Sequence, residues 1–159
     1  MFDLSLLSMI PVEYEHQMLE VFNCINRDMV FTGTAMDSEL DVVAFEHYIT
    51  DHKLFFTNVY YDSQLIGYII IEQMTMSTVI FHWGVCNKHK YIPRMITECF
   101  NKCKELKYEN FIGYINVTNK LSKKIAERMG FKYCYTISKY CDDGNDALVM
   151  IYNQGENNG

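Results

Sequence analysis

The chain has 159 residues, the size of one ordinary domain, and its 49% hydrophobic and 21% charged residues exclude a largely disordered protein. A formal net charge of −6 argues against general nucleic-acid binding, because that affinity comes mainly from neutralised phosphates. No apolar run approaches the roughly eighteen residues that span a bilayer, so we expect no membrane partner. We predict a single domain over residues 1–152 and a flexible tail over residues 153–159.

The first residues and the cysteines bear on the cell compartment. Residues 1–10 contain no basic stretch and no small-residue cleavage pattern, so no signal peptide is predicted. The six cysteines include no CxxC pair, and Cys99 and Cys103 fall on the apolar face of a predicted helix. Such thiols are typical of core packing in a reducing compartment. We therefore expect a cytoplasmic protein without a metal site.

The first half of the chain predicts a short strand, two helices and a group of three strands. The strand covers residues 4–10, and apolar residues at helical spacing then predict helices over 12–27 and 41–51. A region rich in aromatic and β-branched residues follows, with turns at residues 62–64 and 76–77. It predicts an antiparallel meander of three strands, over residues 54–61, 65–71 and 78–86.

The second half alternates helices and strands. Residues 92–107 show a nearly complete i, i+3, i+4, i+7 apolar series, and Pro93 suits the first turn of that helix. A strand over 110–117 leads to a short helix over 120–129, which Gly130 closes. This order predicts an α/β fold whose mixed sheet has helices on both faces. The chain ends in two further strands, over residues 131–138 and 147–152.

Three local patterns resemble the GNAT N-acetyltransferase superfamily. The first is the hairpin Tyr61-Asp-Ser-Gln-Leu-Ile-Gly67, and the second is the strand that ends at Val85 before the helix at Pro93. The third is Asn119-Lys-Leu-Ser122 followed by Met129-Gly-Phe131, which is similar to the family's N-x-x-A/S…x-G-F element. The resemblance implies a mostly antiparallel mixed sheet of about seven strands, with about four helices on its two faces.

The same resemblance implies a site for acetyl-CoA. The co-substrate would lie in the splay beyond the third strand of the meander, where an amine would attack its thioester directly. Lys88, Lys90 and Arg94 would hold the pyrophosphate, while Asn119 and Ser122 would border the pantetheine and the sulfur. The full set of implied co-substrate residues is Val85, Cys86, Lys88, Lys90, Tyr91, Ile92, Arg94, Asn119 and Ser122.

The pyrophosphate loop departs from the family pattern. The family uses glycines there because backbone amides must approach the phosphates closely, yet residues 87–94 contain no glycine, and Pro93 lacks a donor. Three cations, Lys88, Lys90 and Arg94, are instead close to the start of a helix, where the helix dipole already contributes positive charge. Because these charges repel one another, a bound anion would be favoured there. Three solvated surface cations are the alternative interpretation.

His82 is the candidate base by residue type, because its strand is expected to line the cleft and the neighbouring Gly84 would leave room for a ligand. A packed core histidine bonded to a neighbour is the alternative. Glu72 is a second candidate base, and a solvated edge carboxylate is its alternative. Ala126 replaces the tyrosine acid of many family members, which slows transfer without abolishing it, because a thiol leaves tolerably as a thiolate.

Two functions are compatible with these patterns. One is an N-acyltransferase that uses acetyl-CoA to acylate an amine-bearing small molecule or protein. The other is a non-catalytic protein, since the strand with His82 and Trp83, the long helix that follows and the N…S…GF ending together resemble GNAT-like proteins of tailed bacteriophages. Some of those are linked to head or ejection-apparatus assembly. Its partners would be phage or host proteins in the host cytoplasm. Amides of residues 87–94 around an open pocket would favour the enzyme, and a pocket filled by His89 or Tyr91 would favour the binding protein.

Overall fold

The computed structural model describes residues 1–12, 55–85, 88–141 and 143–157. Its regular helices are α1 (Ile92–Cys103), α2 (Lys120–Met129) and the short α3 (Gln154–Asn157), with 3-10 turns at Leu4–Leu6 and Lys104–Leu106. Its strands are β1 (Leu7–Pro11), β2 (Phe55–Tyr61), β3 (Gln64–Gln73), β4 (Thr78–Val85), β5 (Asn110–Asn116), β6 (Lys132–Ile137) and β7 (Ala147–Asn153). None of the helices in these ranges is long and apolar enough to cross a membrane.

The seven strands form one mixed sheet in the order β1-β2-β3-β4-β5-β7-β6. Every neighbouring pair is antiparallel except β4 and β5, which are parallel. The predicted meander of three strands is therefore confirmed as β2, β3 and β4. The helices predicted over 12–27 and 41–51 fall almost wholly on residues 13–54, outside the described residues.

The two ends of the described chain differ in detail from the sequence-based expectation. Residues predicted as the start of a strand form the 3-10 turn Leu4–Leu6, because the Asp3 side chain accepts a hydrogen bond from Ser5 N. A short helix, α3, forms where the flexible tail was expected to start. Its first residue is anchored by Gln154 Nε2, which donates to Lys104 O at 2.9 Å.

Helices α1 and α2 pack on one face of the sheet, here called the helical face. Alternation along β4 directs Val79, Phe81 and Trp83 to this face, where they join buried residues of both helices. Phe100 of α1 lies at the centre, with its ring 5.2 Å from the rings of both Phe81 and Phe111. The helical face is thus a closed core that fixes the positions of the helix starts relative to β4.

Candidate active site

An opening separates the two parallel strands at the centre of the sheet. β4 and β5 pair only at their first residues, where Val79 is opposite Phe111 and Ile80 is opposite Ile112. Beyond those positions β4 continues to Val85 and β5 continues to its own end without further pairing between them in the described residues. Backbone groups along the two strand edges are therefore left for another partner.

His82 and Glu72 lie together beside this opening. The register places His82 opposite Ile70 and Glu72 opposite Ile80, so both side chains are on the sheet face away from α1 and α2, here called the opposite face. His82 Nε2 is 3.5 Å from Glu72 Oε2 and is buried without a hydrogen-bond partner among the described groups. The two residues that the sequence identified separately as candidate bases are thus one pair.

The space that Gly84 was expected to leave for a ligand is occupied. Tyr68 lies directly opposite Gly84 across β3 and β4, and its ring is almost completely buried. A Cβ atom at position 84 would overlap that ring, which makes glycine necessary there for packing within the protein. The expectation of ligand space at Gly84 was wrong, because the sequence does not show which residue stands opposite it.

The loop before α1 has its first backbone donors already engaged. Tyr91 N donates to His89 Nδ1 at 3.1 Å, Ile92 N donates to His89 O at 3.3 Å, and Pro93 has no N–H. These amides do not form the open phosphate cradle of a glycine-rich loop. Val85, at the end of β4, is half-buried against the core, and Cys86 lies outside the described residues.

An aromatic cluster covers the same loop. The rings of His89 and Tyr91 lie 5.1 Å and 6.0 Å from the Tyr61 ring, and Phe2 stacks on Tyr61 at 5.5 Å. The pKa of the Tyr91 phenol is lowered by hydrogen bonding to the α-amino group of Met1 and to Lys90. His89 and Tyr91 therefore serve as packing residues of the loop.

The three cations predicted to hold a pyrophosphate have different surroundings. Lys88 and Lys90 are exposed, and Lys90 Nζ lies 4.9 Å from the centre of the Tyr91 ring. Arg94 is 62% exposed and already pairs with Glu98 at 3.1 Å, one turn along α1. Among these three residues, the two lysines are the ones without a carboxylate partner in the described structure.

The start of α2 places two predicted site residues in a helix cap. Asn119 Oδ1 accepts a hydrogen bond from Ser122 N at 3.0 Å, which satisfies one of the free donors of the helix start. Ser122 is buried, and so is Ala126, the residue at the position of the family's tyrosine acid. Gly130 closes the helix with φ of 98°, as predicted.

A cavity of about 490 Å³ lies between the first turn of α1 and the outer surface of α2. We call it the cationic groove, because Lys124 and Arg128 line it while its one carboxylate, Glu127, is 3.8 Å from Lys123 Nζ outside the lining. Sequence analysis missed this groove, although four basic residues within ten along α2 are a signal for it. Its lining residues are Pro93, Leu121, Lys124, Ile125, Glu127 and Arg128.

The cysteines offer no metal site in the part of the chain that the structure describes. Cys99 and Cys103 are buried on the inner side of α1, and burial raises the pKa of each thiol to about 12. Thiols in this state remain protonated and pack as small apolar groups.

Solved structures share this architecture. Spermidine N-acetyltransferase from Vibrio cholerae, in complex with CoA and spermine, matches with a TM-score of 0.80 over 98% of this chain and 99% of that chain, at 14% identity. AAC(6')-Ib in complex with paromomycin and acetyl-CoA matches with a TM-score of 0.77 over 96% of each chain, at 11% identity. A probable GNAT-family acetyltransferase from Chromobacterium violaceum gives 0.72 over 97% and 91%, at 18% identity.

The chain has the GNAT fold. At these identities the similarity concerns the fold, and no protein-family model and no curated protein matches the sequence. The prediction of a GNAT fold with a mixed sheet of seven strands is confirmed. The cationic groove lies between α1 and α2 on the helical face, whereas the pair His82 and Glu72 is on the opposite face beside the opening between β4 and β5.

Proposed function

We propose that this GNAT-fold protein transfers an acetyl group from acetyl-CoA to an amine. The observation that supports this function best is the opening between β4 and β5, which has an imidazole–carboxylate pair beside it on the opposite face of the sheet. A cationic groove between α1 and α2 on the helical face adds to this support. Solved structures with this fold include complexes with CoA and spermine and with acetyl-CoA and paromomycin. Spermine and paromomycin, the compounds bound in those complexes, both contain several amino groups.

The anionic end of acetyl-CoA would bind at the helical side of the opening. Lys88 and Lys90 at the loop before α1 and Lys124 and Arg128 of the cationic groove supply four positive charges without a described carboxylate partner. Side chains would then do what the backbone of a glycine-rich loop does elsewhere, because charge-assisted hydrogen bonds to phosphate do not need close backbone approach. Pro93, Leu121 and Ile125 add an apolar wall suited to a purine ring.

The pantetheine arm would extend from this region along the free edge of β4. Its amide groups can pair with an exposed strand edge as an added strand does. Val85 and Cys86 would flank it at the end of β4, with Tyr91 and Ile92 at the loop. Asn119 and Ser122 would border it from the α2 cap, where Asn119 Oδ1 already accepts a hydrogen bond from Ser122 N.

The transfer step needs one proton acceptor. The neutral amine attacks the thioester carbonyl carbon, the C–S bond breaks, and coenzyme A leaves as a thiolate. The proton lost by the nitrogen goes to His82, and the Glu72 carboxylate stabilises the imidazolium that forms. Since Nε2 is the ring nitrogen buried beside Glu72, Nδ1 is the one that receives the proton.

A protein-binding factor without turnover is the second candidate function. It is favoured by one observation, which is that His89 and Tyr91 fill the loop before α1 and engage its amides. The resemblance to phage assembly proteins stays a prediction from the sequence. A protein that does not bind acetyl-CoA would not need a glycine-rich phosphate loop, so the loss of that loop is consistent with this function.

Release of free coenzyme A from acetyl-CoA, measured with a panel of polyamines and aminoglycosides, separates the two functions. The proposed enzyme releases thiol only when an accepted amine is present. His82→Gln then lowers kcat by about 10²–10⁴-fold with little change in the KM for acetyl-CoA, because a general base acts on the chemical step. A protein that releases no thiol with any amine and binds no acetyl-CoA would be the binding factor.

A further inference from the structure

A group of tyrosines stands across the opening from His82. Tyr114 is two residues beyond Ile112, the last paired residue of β5, so it occupies the position on β5 that His82 occupies on β4. Register then places Val149 and Tyr135 beside Tyr114 on the same face of the sheet. Any molecule that reaches His82 from the opposite face therefore meets these side chains.

Tyr114, Tyr135 and Tyr140, here called the tyrosine cluster, present aromatic surface to solvent. The rings of Tyr114 and Tyr140 are stacked, with centroids 5.3 Å apart and planes 15° apart. Tyr140 is 41% exposed and Tyr135 is 52% exposed. Aromatic rings that are stacked and accessible can bind cations over their faces by cation–π interaction. They can also bury methylene groups against their apolar surface.

Two carboxylates are linked to residues beside the tyrosine cluster, Glu72 through His82 and Asp143 through Asn116. Glu72 Oε2 is 3.5 Å from His82 Nε2, and His82 and Tyr114 occupy equivalent positions on β4 and β5, so this carboxylate is on the same face of the sheet as Tyr114. Burial raises the pKa of Tyr114 and of Tyr140. Asp143 accepts a hydrogen bond at 2.9 Å from Asn116 Nδ2, which belongs to the last residue of β5. The N–H of Asn145 lowers the pKa of Asp143, so that carboxylate is ionised at neutral pH.

We propose that the tyrosine cluster and Glu72 form the binding subsite for the acceptor, and that the acceptor is an alkylammonium compound. The rings would hold the methylene chain and the charged nitrogen over their faces, while Glu72 draws the reacting nitrogen toward His82. This subsite rests on the proposed function for its role in catalysis. Binding of the amine does not require acetyl-CoA, so the two proposals fail separately.

The chain offers a matched control for this subsite. Tyr133 and Tyr135 are on the same edge strand and are 55% and 52% exposed, so replacing either one removes a similar area of exposed ring. Tyr133 pairs with Met150 of the helical core, whereas Tyr135 pairs with Val149 in the row of Tyr114. Tyr133→Leu and Tyr135→Leu therefore separate binding at the cluster from a general effect on the strand.

The test is a titration of the full chain with 1,4-diaminobutane followed by NMR of the protein, without acetyl-CoA. Tyr135→Leu and Tyr140→Leu should each weaken binding by about 3–10-fold, and Tyr133→Leu should bind as the unmodified protein does. In the transfer assay, Tyr135→Leu should raise the KM for the amine and leave kcat nearly unchanged.

Two results would overturn the subsite. One is equal weakening, or none, in Tyr133→Leu and Tyr135→Leu, and the other is an unmodified protein that does not bind the diamine. If amine-dependent thiol release persists in either case, the transferase proposal stands while the acceptor subsite is lost. Thermal unfolding of each variant checks that the fold is retained, which is expected because Tyr133 and Tyr135 are on an exposed edge strand and Tyr140 is 41% exposed.

Discussion

The two sides of the opening differ in charge. On the helical side, Lys88, Lys90, Lys124 and Arg128 face solvent around the start of α1 and the groove on α2. On the opposite face, Glu72 lies beside His82, and Tyr114 and Tyr135 share that face of the sheet. The two sides are thus built from different elements, the helices α1 and α2 with the loop before α1 on one side and the strands of the sheet on the other.

This difference matches the two substrates of the proposed reaction. Acetyl-CoA has its phosphates at one end, and an alkylammonium acceptor is positive, so each would be drawn to its own side of the sheet. Local charge therefore matters more than the net charge of −6, which by itself would disfavour an anionic co-substrate. The fold supplies the opening, and these side chains decide which molecule enters from which side.

Reversing the charge of the cationic groove on the helical side should have the largest effect, which is a loss of affinity for acetyl-CoA. The double substitution Lys124→Glu and Arg128→Glu should weaken acetyl-CoA binding, measured by calorimetry, by about 10–100-fold, because hydrogen bonds to charged groups contribute about 1.5–3 kcal/mol. Binding of 1,4-diaminobutane should not change. Lys132→Glu is the control, since Lys132 is on β6 beside Glu156. Equal loss in the control would mean that only net charge matters.

A change at Gly84 should disturb the opposite face through packing. Gly84→Ala should lower the free energy of unfolding by about 1–3 kcal/mol, because the new Cβ overlaps the buried Tyr68 ring. Gly113→Ala is the matched control on β5, where the nearest atom to the new Cβ is 3.8 Å away. Urea unfolding of both variants measures the difference. Equal stability of the two would contradict the packing of Tyr68 against Gly84.

Cysteine labelling tests whether the helical face is closed to solvent, and it needs no substitution in the protein. In the native protein at pH 8, iodoacetamide should modify Cys134 well before Cys99 and Cys103, as measured by mass spectrometry of each site. Cys134 is exposed, whereas the other two thiols are buried and their pKa is raised to about 12. Rapid modification of Cys99 without unfolding would show that the helical face is not a closed core.

Much of the fold was predictable because it depends on local patterns. Alternation of apolar and other residues over 78–86 predicted a strand and placed Phe81 and His82 on different faces of it. The apolar series that includes Pro93 in its first turn predicted helix α1. The GNAT order of elements followed from these. The described strands agree with the sequence-based bounds to within a few residues, with the largest difference at the first strand.

The candidate site was less predictable because it depends on register between distant strands. Nothing in the sequence shows that Tyr68 stands opposite Gly84, that Glu72 reaches His82, or that Tyr114 faces the opening. The loop before α1 shows the same limit, since its positive charge was evident but the bond from Tyr91 N to His89 was not. Such pairings depend on the register of whole strands, which local patterns in the sequence do not fix.

A crystal structure of the protein with coenzyme A and 1,4-diaminobutane tests the central claim most directly. We expect the thiol between β4 and β5, the phosphates against Lys124 and Arg128, and the diamine on the opposite face against Tyr135 and Tyr140. Coenzyme A bound elsewhere on the surface, or both ligands on the same side of the sheet, would contradict it.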